Sequence, residues 1–236
     1  TYYAPNNAVL IVAGDFDTRE ALALIHRYYD DIPAHEPPAG VRTIEPEQLG
    51  ERRARVHRPA ELPQIMIGYH GPPVGSGDIY ALDVLQEILT GGDSSRLYRK
   101  LVRDLGIAIS VDSAFPWSID PDLFYFDVKM KPGEDTAAGE EAVYAELAAI
   151  AEQGVTEQEL ERVKNVLEAN FIRSMQRVNG KARKIGTYEI LFGDYRKIPE
   201  VPALYRAVTN DDIRRVAKTY FSEKNRNVVT LVPEQS

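Results

Sequence analysis

The stretch LFYFDVKM, Leu123–Met130, alternates without a slip. Phe124, Phe126, Val128 and Met130 fall on one side and Tyr125, Asp127 and Lys129 on the other. A period of two belongs to a strand with one buried face, so an antiparallel sheet covered on one side is expected here. Residues 107–115 read as its partner strand, the two being joined around Pro116 and Pro121. Further upstream, residues 54–58 and 64–70 also read as strands, and at the far end residues 227–232 read as a closing strand.

Helical periodicity fills the spaces between. Leu82, Leu85 and Leu89 share one face of a helix over 78–89, which Gly91-Gly92-Asp93 ends. Asp93 or Ser94 then caps a second helix running to Gly106. Val143, Leu147 and Ile150 stripe a helix over 135–153. Thr156-Glu157-Gln158-Glu159 is a capping box, and it opens a long helix striped by Leu160, Val163, Leu167, Phe171 and Met175. Shorter helices are expected over 182–192, 201–207 and 211–221. Strands grouped in hairpins and followed by helices give an α+β class, a mostly antiparallel sheet with helices packed on one face. Phe124, Phe126 and Val128 are expected beneath helices that include Leu160, Val163 and Leu167.

Toward the amino terminus, AVLIV at 8–12 is a continuous apolar run ended by Gly14 and reads as a buried strand. Asp17 or Thr18 can cap a helix reaching about Asp31, with Leu22, Ile25 and Tyr29 on one apolar face. Past it, Pro33, Pro37, Pro38, Gly40 and Pro46 punctuate a polar stretch without period, which reads as a semi-stiff linker. The sequence also echoes itself. TYYAPNN from Thr1 leads into AVLIV, and TYF from Thr219 leads through a polar bridge containing Asn into VVTLV. The expected organisation is therefore the closing strand and helix of an upstream related domain at 1–34, a linker at 35–53, and a second α+β domain at 54–236. The opening Thr1-Tyr2-Tyr3, without Met, basic stretch or apolar leader, reads as a cut inside a longer protein.

Composition excludes several classes. With 36 acidic against 28 basic residues the net charge is -8, which argues against a nucleic-acid phosphate backbone as partner. No apolar run approaches the ~18 residues of a membrane helix. Without cysteine there is no disulfide framework, thiolate metal site or cysteine nucleophile. The four histidines, His26, His35, His57 and His70, include no pair spaced i, i+4. Each reads as a surface or structural histidine. There is no G-x-S-x-G elbow and no P-loop. Gly91-Gly92-Asp93-Ser94-Ser95 reads as a helix–helix turn rather than an anion cradle, and the acidic pairs Glu140-Glu141 and Asp211-Asp212 as solvated faces. No catalytic or metal-binding residue is assigned to the chain.

Three stretches together resemble the pitrilysin/insulinase-type zinc metallopeptidases, especially their smaller bacterial and mitochondrial-processing-type members. They are YYAPNNAVLIVAGDFD from Tyr2, ELPQIMIGYHGPP from Glu61, and GGDSSRLYRKLVRDLGIAISVDSAF from Gly91. The helix from Thr156 and GKARKIGTYEILFGD from Gly180 also fit. The resemblance implies two related α+β domains in each half of a clamshell. It also implies zinc in the first domain, held by an inverted His-x-x-Glu-His motif and a more distant Glu, all upstream of Thr1. This chain would then be the non-zinc-binding C-terminal region, inactive alone, of a zinc endopeptidase subunit. It would wall the chamber and bind substrate and a partner half, in a homodimer or heterodimer with a related subunit. The alternative is a non-catalytic assembly or structural subunit related to processing peptidases. In the family an Arg and a Tyr, seven residues apart, reach the substrate from this half. Aligning Gly106 with the family's glycine puts Val102 and Ile109 at those positions, and neither can donate a hydrogen bond. The compartment is not readable here, although a bacterial source would favour the periplasm.

Overall fold

The structure is a computed structural model describing residues 2–40, 43 and 45–234. Thr1 of the echo, Val41, Arg42 and Ile44 of the linker reading, and Gln235 and Ser236 at the end lie outside the described residues. In chain order the elements are α1 (Thr18–Tyr29), β1 (Arg52–Arg58), β2 (Gln64–His70), α2 (Ile79–Thr90), β3 (Ala108–Ala114), β4 (Leu123–Met130), α3 (Thr136–Gln153), α4 (Glu157–Gln176), α5 (Val178–Phe192), α6 (Val201–Ala207), α7 (Asn210–Tyr220) and β5 (Arg226–Pro233). Two compact units result. One holds Thr1–Pro46 with Asn170–Pro199, the other Glu47–Ala169 with Glu200–Ser236.

The second unit carries a five-stranded sheet in the order β1-β5-β2-β4-β3. Only β1 and β5 run parallel, and the other pairs are antiparallel. The alternation of β4 is realised: Phe124, Phe126, Val128 and Met130 are fully buried. Register aligns them with Ile65, Ile67 and Tyr69 of β2, also buried, and with Val128's neighbour Val111 on β3. Phe221, just past α7, meets Phe124 and Tyr69 edge-on, with ring centroids 4.9 and 5.0 Å apart. The helices α2 and α3 pack on this face. On α3, Gly139 permits the approach, because a Cβ there would stand 2.8 Å from Met130 Sδ and 2.9 Å from Ile65 Cδ1. The opposite face stays open, with Met66 and Val229, which are register partners, 42% and 43% exposed.

Several expectations shift. The helix packed directly on β2 and β4 is α3; on α4, Leu160 and Val163 are buried, whereas Leu167 is only half-buried. The strand expected at 54–58 begins at Arg52, inside the span read as linker. Salt bridges explain that start: Glu51 accepts from both Arg53 and Arg226, and Arg53 Nη1 donates to Glu140 at 2.7 Å. The capping box is as expected, Glu159 N–H donating to Thr156 Oγ1 at 3.2 Å and Thr156 N–H to Glu159 Oε2 at 2.9 Å.

In the first unit, Asp17 caps α1 by accepting from the amides of Arg19 and Glu20, both at 2.9 Å. The apolar stripe of α1 is not buried: Leu22 and Tyr29 are exposed and Ile25 half-buried. The expected strand at 8–12 does not form. Val9, Leu10 and Val12 are about half exposed, at 49%, 55% and 49%. An apolar run supplies side chains, but a strand also needs a neighbouring backbone, and the described residues offer none here. Tyr188 of α5 is buried and stacks on Phe192, with centroids 4.7 Å apart.

The echo has a structural counterpart. Pro5–Asn7 and Glu223–Asn225 are both single 3-10 turns. In each, the closing Asn reaches back to the carbonyl five residues earlier: Asn7 Nδ2 donates to Tyr2 O at 2.9 Å, and Asn225 Nδ2 to Tyr220 O at 2.8 Å. Extended backbone follows both turns, at Ala8 and at Arg226. Only the second copy goes on to pair, as β5.

Candidate functional site

The segment after α2 is the part of the second unit that departs most from regular geometry. Gly91 caps α2 and Gly92 takes a left-handed φ of 81°. The chain then enters the helix expected to run to Gly106, but its last part, Tyr98–Asp104, winds as a π-helix. Leu105 N–H donates to Lys100 O at 3.0 Å, the i to i−5 bond of that wider turn. Gly106, with φ 64°, turns the chain into β3, and Ile107 N–H closes the turn on Leu101 O at 3.0 Å. Buried Leu97 and Leu101 hold the segment to the core.

Val102 is half-buried within the π-helical segment. Ile109 is 46% exposed and sits at a β-bulge, since Ala108 pairs with Met130 and Ser110 with the adjacent Lys129. Wide turns and bulges re-aim side chains and are common beside functional sites. Both positions therefore have shaped backbone and side chains unable to polarise a carbonyl. Sequence reasoning missed Lys131 beside them: its N–H donates to Ile107 O at 2.9 Å, and its ammonium is 3.7 Å from where a Cβ on Gly106 would stand. Hydrophobic spacing carries no signal for such a cation. On the open sheet face Asp112 and Asp127 are register partners, and Gln64 Nε2 donates to Asp127 Oδ1 at 2.6 Å. This face offers apolar and acidic contacts to a ligand.

One latch fixes the start of the segment. Arg96 grips Glu159 through Nε and Nη2, both at 2.8 Å, and reaches Glu146 Oε1 at 3.0 Å. The Arg96 hydrogen bonds, with those from Thr156, hold the Glu159 carboxyl down at about 2 against partial burial. A single carboxylate thus completes the capping box of α4 and ties the segment to it.

None of the four histidines belongs to this segment. His26 Nδ1 is 3.0 Å from Asp30 Oδ2 on α1, His35 N–H donates to Asn6 Oδ1 at 3.2 Å, His57 is on β1, and His70 Nδ1 is 2.9 Å from Asn225 Oδ1. Among the described residues no three His, Asp or Glu side chains converge as a metal-binding group. No helix among them is long and apolar enough to cross a membrane.

Comparison with known proteins agrees with this architecture. The family described as the peptidase M16 inactive domain matches residues 1–167. The zinc protease PqqE of Helicobacter pylori is 26% identical over 98% of this chain and 53% of its own length. The uncharacterized zinc protease YmxG of Bacillus subtilis is 27% identical over 94% of this chain and 53% of its own. The chain thus spans about half the length of these relatives. Among solved structures, a protease from Helicobacter pylori superimposes with a TM-score of 0.91 at 26% identity, covering 98% of this chain and 57% of that one. A peptidase M16 inactive domain from Pseudomonas fluorescens, 16% identical, shares the fold with a TM-score of 0.81 over 94% of this chain and 52% of that one. This chain belongs to the peptidase M16 inactive-domain family.

Proposed function

We propose that this chain is the non-catalytic half of a zinc-dependent endopeptidase subunit, forming a chamber wall and a surface for substrate and partner. Zinc in the preceding half would supply Lewis-acid chemistry for peptide hydrolysis. The residues of this chain do not fit that metal, since no ligand group converges among the described residues. What the chain contributes is shape: the open sheet face, the bulge at Ile109 and the π-helical segment, clamped by Arg96 to Glu146 and Glu159. Residues 1–34 are read as the closing strand and helix of the preceding related domain, with 35–53 as linker and 54–236 as the second domain. The paired Asn7 and Asn225 turns support that reading, because the run after Asn225 closes a sheet whereas the like run after Asn7 has exposed apolar side chains.

The observation that carries the proposal is the apolar pair. On the resemblance, Val102 and Ile109 would stand where the family has Arg and Tyr, and neither side chain offers a donor for the charge that builds on a carbonyl oxygen. A fixed donor there is typically worth ~3 kcal/mol, or about a hundredfold in rate. The full-length protein is therefore expected to be slow alone and to gain activity from a related subunit carrying the pair. The same vacancy favours a second reading, a subunit retained only for assembly. Peptidase assay of the full-length protein, with and without such a subunit, separates them. Activity only with the partner supports the first reading, and inactivity of the zinc-loaded pair supports the second.

A further inference from the structure

The outer strand β1 departs from the acidic character of the chain, which carries 36 acidic residues against 28 basic. Residues 52–58 read RRARVHR, four arginines and a histidine with no acidic side chain. β1 stands at one end of the sheet, and its ladder with β5 runs over seven residues without a shift in register. Glu234 N–H donates to Arg58 O at 3.0 Å, so the backbone groups of Arg58 face β5. Backbone direction alternates along a strand, so those of Ala54 and Val56 face β5 too, while Arg53, Arg55 and His57 turn their N–H and C=O outward. Among the described residues no backbone group pairs with that outer row.

Natural sheet edges are kept from further pairing by shortness, proline, a bulge, a cover or charge. β1 has no proline and no bulge, and its side chains are exposed apart from half-buried Val56. Charge remains, and charge discriminates by sign. Arg53 is committed to Glu51 and Glu140. Arg55 and Arg58 are exposed, and no ion pair among the described residues engages either. They stand three residues apart, hence on opposite faces of the strand, so a cation flanks the open edge on each side. A second copy of β1 laid along this edge would bring arginines beside arginines. Acidic residues directly across would instead place their Cβ atoms about 5 Å away and attract.

We propose that the outer edge of β1 takes up an extended acidic segment of another polypeptide as an added strand. Main-chain hydrogen bonds to Arg53, Arg55 and His57 give the pairing, and Arg55 and Arg58 select acidic side chains spaced three residues apart. The proposal does not depend on the peptidase reading above.

The test is fluorescence anisotropy with the full chain and three labelled peptides, built of Thr-Glu-Val, Thr-Lys-Val and Thr-Glu-Pro repeats. The first should bind and weaken with added salt, and the second should not bind. The third keeps the charge but cannot join a ladder along either of its edges, and should bind about tenfold more weakly than the first. R55Q/R58Q should weaken binding of the first peptide about fivefold, while R55K/R58K should retain most of it. In hydrogen exchange the amides of Arg53, Arg55 and His57 should gain protection when that peptide is bound. Equal binding of the Thr-Glu-Val and Thr-Glu-Pro peptides, which would mark attraction by charge alone, would overturn the proposal. So would no binding, no effect of R55Q/R58Q, or self-association of the chain that protects the same three amides without peptide, which would make a second copy the occupant.

Discussion

Replacing Glu159 with Gln isolates the latch on the candidate segment. The native carboxylate accepts two bonds from Arg96 at 2.8 Å each, and Thr156 N–H and Oγ1 at 2.9 and 2.8 Å. Gln can keep one or two of these as neutral bonds but loses the charge and the bidentate fork. The carboxyl lies at about 2, against an ordinary 4.5, so the folded state favours the ionised form. Its stabilisation is therefore full above pH 4.5 and is lost as pH falls toward about 2. Taken at face value the shift corresponds to ~3 kcal/mol, and solvent screening at the rim of the unit reduces this to about 2 kcal/mol. Urea unfolding should place Glu159→Gln about 2 kcal/mol below the native chain at pH 7, with the gap at pH 3 less than half as large. An equal gap at both pH values, or one below ~0.5 kcal/mol at pH 7, would refute the charge argument.

Other perturbations test separate parts of the account. Gly139→Ala would push a methyl against Met130 Sδ and Ile65 Cδ1 and should lower stability by about 1–2 kcal/mol, partly recovered by adding Ile65→Val, as read by thermal unfolding. Asn225→Ala removes donations to His70 O and Tyr220 O, at 2.9 and 2.8 Å, and should destabilise by about 2 kcal/mol in urea. Asn7→Ala, whose following run pairs with nothing among the described residues, should change the isolated chain by less than ~0.5 kcal/mol. In the full-length protein, Val102→Arg with Ile109→Tyr should reduce dependence on a partner subunit, seen as a larger peptidase rate without it.

What was legible in the sequence was whatever periodicity encodes. The alternation in Leu123–Met130 reports burial directly, and the capping box from Thr156 reports a helix start through local hydrogen bonds, so both survive in the structure. The run at 8–12 misled because apolar composition says nothing about whether a partner strand is available. The π-helical winding of Tyr98–Asp104 and the bulge at Ile109 were invisible for another reason. Both are settled by how Leu97, Leu101 and the turn at Gly106 fit the core, which leaves no period to read. The Arg96 latch joins residues far apart in sequence, and only the fold brings them together. Val102 and Ile109 are singled out by the resemblance alone, whereas the irregular backbone beneath them leaves no mark on the sequence pattern.

The central claim, that zinc and its chemistry belong to the part of the protein outside this chain, is tested most directly by zinc content after dialysis. Zinc should be determined for the 236-residue chain and for the full-length protein in parallel, with a quenched-peptide cleavage assay on each. The account predicts stoichiometric zinc in the full-length protein, and no tightly held zinc or cleavage in the chain alone. One equivalent of zinc retained by the chain alone, and lost on His57→Ala or His70→Ala, would contradict it.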